Sequence, residues 1–112
     1  MRAYNPELNA GKAVTYVAVA QGAAGTTVLA TADITKKHKL LGAVLVMSAG
    51  GTLKFTDGTD DLSGAMDIAT NGGFTAPVSN FAYLETGAVN RALNLVTTTG
   101  AARGMVVILT EE

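Results

Sequence analysis

No stretch of this chain keeps apolar residues at spacings of 3, 4 and 7 for long enough to make a helix. From residue 13 onward, short apolar or alternating runs are instead cut by turn residues about every ten positions. The runs cover 13–19, 26–33, 39–48, 52–56, 62–69, 73–78, 81–86, 92–98 and 104–110. Gly, Asn, Asp and Ser gather between them, at 21–25, 49–51, 57–61, 71–73, 87–90 and 100–104. Gly supplies positive φ at little cost there, and Asn and Asp tolerate it. Eight or nine short strands at this spacing predict an all-β, antiparallel β-sandwich, jelly-roll-like. Residues 1–12, MRAYNPELNAGK, hold no period of either kind and read as an extended N-terminal arm before a single sandwich domain over 13–112. A chain of 112 residues buries roughly two thirds of its unfolded surface, enough for one core without disulfides.

Two kinds of strand are legible. In TLKFT, Leu53 and Phe55 point one way while Thr52, Lys54 and Thr56 point to water; in ALNLVTT, Leu93 and Leu95 face inward with Asn94 opposite. KLLGAVLVM (39–47) and GMVVIL (104–109) are apolar at nearly every position. An antiparallel sheet normally leaves one face wet, so something covers the second face of these two strands. The cover is either a part of the chain, such as the arm folding back, or another subunit.

Composition narrows the function classes. With 48% apolar and 15% charged residues the chain is not disordered, and a net charge of −1 lacks the basic surplus of a nucleic-acid or anionic-membrane binder. The longest uncharged apolar stretch, LLGAVLVMSAGG (40–51), is well short of the roughly 20 residues that span a bilayer. AVTYVAVA (13–20) has no clean basic leader before it and reads as a strand rather than a signal peptide. The absence of Cys excludes disulfides, Cys-based zinc sites, iron–sulfur clusters and thiol catalysis.

No group of residues reads as an active site. His38, the single histidine, lies in KKHK and reads as a solvated loop residue, with Asp33 the nearest carboxylate in sequence. A Ser–His–acid site would need Ser48, Ser63 or Ser79, none of which sits on a strand-to-helix elbow. KKHK is too short, and too poor in aromatics, for a nucleic-acid patch. Asp57, Asp60 and Asp61 form an acidic turn without the EF-hand spacing. Glycosidase carboxylates would have to come from Asp57, Asp60, Asp61, Asp67 or Glu85, and most of the six aromatics fit core positions. The Gly pairs 50–51 and 72–73 lead into strands, not helices, so no phosphate loop is present. No catalysis, cofactor or metal is expected.

From residue 39 to the end the order of phrases is specific. Leu53-Lys54-Phe55 with Gly58 forms a short hairpin, followed by Leu62-Ser63-Gly64-Ala65-Met66 and Ala69-Thr70-Asn71-Gly72-Gly73. Pro77, an aromatic-rich strand ending at Thr86, Ala92-Leu93-Asn94-Leu95 and Gly104 complete the series. This order resembles a family of small all-β structural proteins encoded among the head genes of tailed bacteriophages and prophages, over about two thirds of the chain.

The resemblance implies a non-enzymatic virion protein that decorates and stabilises the capsid shell. It implies the major capsid protein as partner, self-association as a homotrimer, and a place on the outer capsid surface after synthesis in the host cytoplasm. Neither nucleic acid nor membrane is an expected partner. Arg2, Tyr4, Pro6 and Leu8 are the candidate capsid contacts, because Tyr and Arg anchor interfaces and Pro6 reduces the entropy lost on ordering. The competing expectation is a head or tail appendage module that binds a host receptor or carbohydrate through loops 57–61 and 87–91.

Overall fold

The computed structural model describes residues 13–79 and 81–111. Nine strands run in order: β1 (Ala13–Ala20), β2 (Thr26–Ala30), β3 (Lys37–Met47), β4 (Gly51–Thr56), β5 (Met66–Ile68), β6 (Gly73–Ala76), β7 (Leu84–Glu85), β8 (Leu93–Thr98) and β9 (Ala102–Glu111). They form two antiparallel sheets, ordered β1-β9-β3-β6 with β7 also on β3, and β2-β8-β4-β5. Every strand lies within or against one of the nine runs read from the sequence.

The topology is that of a long hairpin rolled up on itself. Counting inward from the ends, β1 pairs β9, β2 pairs β8, β3 pairs β6 and β7, and β4 pairs β5. Rolling then adds β3 to β9 and β4 to β8, which closes each sheet. This is a jelly roll. Only the contacts could reveal it, since periodicity carries no strand order.

Between the sheets lie Leu40, Leu45 and Met47 of β3, Leu53 and Phe55 of β4, Leu93 and Leu95 of β8, and Val106 and Ile108 of β9, all essentially inaccessible to water. Burying a side chain of this size contributes about 1.5–3 kcal/mol. Phe55 and Phe74 meet at the centre, ring centroids 6.0 Å apart and tilted by 58°. Asn94 differs from its expected place in water. It is 8% exposed, and its Oδ1 has no hydrogen-bond partner among the described residues.

The strand registers sort the loops into two unlike ends. Loops 21–25, 48–50, 69–72 and 99–101 share one end and contain no charged residue. Buried Gln21 knits that end together. Its Oε1 accepts from the Thr97 hydroxyl at 2.7 Å and the Ala102 N–H at 2.9 Å, and its Nε2 donates to Gly25 O and Thr27 Oγ1. The opposite end gathers loops 31–36, 57–65 and 86–92, with Asp33, Lys36, Asp57, Asp60, Asp61 and Arg91.

Candidate functional site

The outer face of the β1-β9-β3-β6 sheet is where the doubly apolar strands put their second set of side chains. A register shift between Leu40 and Gly42 inserts an extra residue, and Leu41 turns outward to join Val107 and Leu109. The chain itself packs on this cluster: Val14 flanks it, and Val78 lies across Gly42, where a Cβ would come within 2.9 Å of the Val78 Cα. The Ser79 N–H donates to Leu41 O at 3.0 Å and pins that crossing. Gly42 therefore permits a close approach that any other residue would block. Half of the second face is covered from within the chain.

The other half is open among the described residues. Tyr16 is 60% exposed, Val44 49%, Val46 47% and Met105 43%. The registers Ala18↔Met105, Met105↔Val44, Val44↔Thr75 and Arg103↔Val46 place Met105, Val44 and Val46 side by side, with Tyr16 one row away, opposite Val107 of the covered half. Arg103 is the one charged residue in those rows, on the side toward the neutral end. A contiguous apolar patch with a polar rim marks a contact surface more often than a solvated one. Near-continuous apolarity of 39–47 and 104–109 signalled this surface, whereas the division into a covered and an open half was not legible.

At the charged end, Asp57 ties two loops together. It is 2% exposed, and its Oδ1 accepts from the backbone N–H groups of Thr59 (3.0 Å) and Asp60 (2.7 Å). Its Oδ2 accepts from the Gly87 N–H at 2.9 Å and from Arg91 Nη1 at 2.8 Å. Burial by itself pushes this carboxyl up. The Asp60 backbone, the Arg91 guanidinium and the Gly87 and Thr59 backbone outweigh it and hold the group well below the usual carboxylate range. Arg91 also reaches Asp60 Oδ2 at 2.9 Å. Loops 57–61 and 87–91 are thus brought together, with Asp57, Asp60 and Arg91 spent on each other and Asp61 paired with Lys54 of β4. No three acidic or histidine side chains among the described residues converge as a metal-binding group would.

His38 is corrected from a solvated loop residue to a buried member of β3, 3% exposed. Its Nε2 lies 2.6 Å from Thr31 O, which can only accept, so Nε2 carries a proton; Nδ1 lies 2.8 Å from Thr110 Oγ1. Both ring nitrogens are engaged within the fold. The serines are structural as well: Ser48, Ser63 and Ser79 hydroxyls accept from the N–H groups of Ala101, Phe55 and Phe81. Lys39 leaves the KKHK patch to pair with Glu111 at 2.6 Å and Glu85 at 3.8 Å, and the Glu111 hydrogen bond raises its pKa.

The aromatics divide differently from expectation. Phe55 and Phe74 belong to the core, whereas Tyr16, Phe81 and Tyr83 are exposed. The Tyr83 hydroxyl donates to Pro77 O at 2.6 Å. The proposed arm contacts Arg2, Tyr4, Pro6 and Leu8 lie outside the described residues. No helix of the described residues is long and apolar enough to cross a membrane. Comparison with family models, with curated proteins and with solved structures finds no match.

Proposed function

We propose that this chain is a non-enzymatic structural protein of a tailed-bacteriophage virion. It decorates the outer capsid surface, associates as a homotrimer, and stabilises the shell by binding the major capsid protein. The observation that carries the reading is the open apolar half-face formed by Tyr16, Val44, Val46 and Met105 on an otherwise well-packed jelly roll. The order of phrases from residue 39 onward supplies the virion context. Burial of such a face between copies, and between the protein and neighbouring capsid subunits, resists outward pressure from packaged DNA. Many equivalent copies turn a weak single contact into durable attachment. The arm residues Arg2, Tyr4, Pro6 and Leu8 extend the contact across subunit boundaries.

Light scattering coupled to size exclusion tests the self-association. The wild type is expected at the mass of three chains, and Val44→Glu with Met105→Glu at the mass of one. Both positions are exposed, so the melting temperature of the double variant should stay within a few degrees of wild type. A monomeric wild type removes the preformed trimer from the proposal. Co-sedimentation with DNA-free expanded capsids of the phage or prophage that carries the gene tests the partner. Deleting residues 2–11 should reduce saturation, and unchanged affinity would show that the arm is not the capsid contact.

A further inference from the structure

Between β1 and β2, the outer strands of the two sheets among the described residues, and toward the charged end, the sheets part around a cavity of about 510 Å3 that opens to solvent. Val17 and Ala30, both half-buried, give it an apolar floor with Leu29 and Ile108 buried beneath them, and Thr15, Thr31 and Thr110 line its walls. Its volume is within the range of small-molecule sites, about 300–1,000 Å3.

Two of the polar groups are held in place. The Thr110 hydroxyl sits 2.8 Å from His38 Nδ1, and the protonated Nε2 of the same ring fixes Thr31 O at 2.6 Å. The His38 backbone N–H is itself anchored to Thr86 Oγ1 at 3.1 Å. Paired with His38 Nδ1, Thr110 Oγ1 keeps at least one lone pair for a second donor. The ring is thus a buried brace for the wall and has no free nitrogen with which to attack or deprotonate a ligand.

Asp33 and Lys36 are both half-buried and both line the cavity. Asp33 Oδ1 accepts from the Thr35 N–H and hydroxyl at 3.0 and 3.1 Å, which lowers its pKa and keeps it ionised. Among the described residues, Asp33 Oδ2 and Lys36 Nζ have no hydrogen-bond partner. The lining therefore offers one open acceptor and one open donor of opposite charge. An anionic ligand gains from Lys36 and is repelled by Asp33, and a cationic one meets the reverse. A neutral ligand that carries both donors and acceptors satisfies the two together.

We propose that this cavity binds a neutral sugar unit of a glycan. A pyranose has an apolar C–H face to lie against Val17 and Ala30, and vicinal hydroxyls that each donate and accept. Asp33, Lys36 and the Thr110 hydroxyl meet those hydroxyls, and the apolar floor takes the place of the aromatic platform that the lining lacks. The site is distinct from loops 57–61 and 87–91, and it does not depend on the capsid reading. On a particle surface it would give each copy a weak grip on host glycans, multiplied by copy number.

The test uses the full chain, 15N-labelled, titrated to tens of millimolar with glucose, galactose, mannose and N-acetylglucosamine, and with glucuronate and glucosamine as charged counterparts. At least one neutral sugar should give saturable amide shifts at Thr31, Asp33, Lys36 and Thr110, with weaker effects from the charged sugars. Lys36→Ala should weaken binding roughly tenfold, the loss of one charge-assisted hydrogen bond. Ala32→Phe, at an exposed lining position, should abolish binding while the amide spectrum of the core stays unchanged. Absence of saturable shifts with all four neutral sugars overturns the proposal. So do shifts centred away from the cavity, tighter binding of glucuronate or glucosamine than of any neutral sugar, or full binding by both variants.

Discussion

Asp57→Ala is expected to lower the melting temperature by roughly 10–20 °C, the equivalent of about 3–5 kcal/mol for a domain of this size. The change removes one carboxylate and leaves three donors, the N–H groups of Thr59, Asp60 and Gly87, without their acceptor, while Arg91 keeps only Asp60. Leaving part-buried donors without a partner adds to the cost of the lost bonds themselves. Asp57→Asn should be nearly as damaging. Whichever way its amide turns, an NH2 group faces two donors. Asp61→Ala is the control, because that carboxylate is 60% exposed and its ion pair with Lys54 is worth 1 kcal/mol at most, roughly. A melting temperature for Asp57→Ala within a degree of wild type would show that the two loops are not held by this carboxylate.

The same group sets an acid limit. Because the native pKa of Asp57 is depressed, its stabilisation is fully present above the unfolded value of about 3.9 and is lost as pH falls below that toward the native value. Urea unfolding at a series of pH values should therefore show stability dropping steeply below about pH 4 in the wild type. The Asp57→Ala protein should show a flatter dependence over the same window. Equal slopes would mean that other carboxylates carry the acid sensitivity.

Gly104→Ala is expected to cost about 2–4 kcal/mol, from backbone strain together with disturbed ladder bonds. Gly104 has a φ of 148°, a conformation that L side chains rarely adopt. An added Cβ would also run into the carbonyl oxygen of Val44 and reach 3.1 Å from the Leu45 Cα. β9 can relieve this only by moving away from β3 at the Leu45↔Gly104 pair, beside Met105 and Val44 of the open face. The proposed self-association should weaken along with stability. Gly64→Ala is the control, since a Cβ there meets nothing within 4 Å, and it should change stability by less than about 0.5 kcal/mol. Chemical denaturation of the two variants, read beside their light-scattering masses, checks both effects. Gly104→Ala as stable as Gly64→Ala would show that the strand pair adjusts freely.

The strands were legible because alternation is a local property: Leu53 and Phe55 point inward from β4 on any reading of TLKFT, and both are fully buried. Turn positions were legible for the same reason, since the backbone geometry of a tight turn selects Gly, Asn and Asp within a few residues. The candidate surface was half legible. Apolar residues at nearly every position of 39–47 announced a covered second face, but only the fold shows that Val78 crosses Gly42 to cover Leu41 and Val107 while Val44 and Met105 stay open.

His38 and Asn94 mark where local reading stopped. Three lysines around His38 and the alternation around Asn94 both pointed to water, yet each side chain is buried beneath or beside segments far away in sequence. His38 is fixed by Thr110, 72 residues on, and Asp57 by Arg91, 34 residues on. The all-β class, the number of strands and their inward faces follow from composition and period, which each short segment carries by itself. The rolled topology, the brace at His38, the Asp57–Arg91 tie and the cavity between β1 and β2 come from pairings between distant strands. Those depend on which faces and edges meet once the hairpin rolls up, and no period within a segment encodes that.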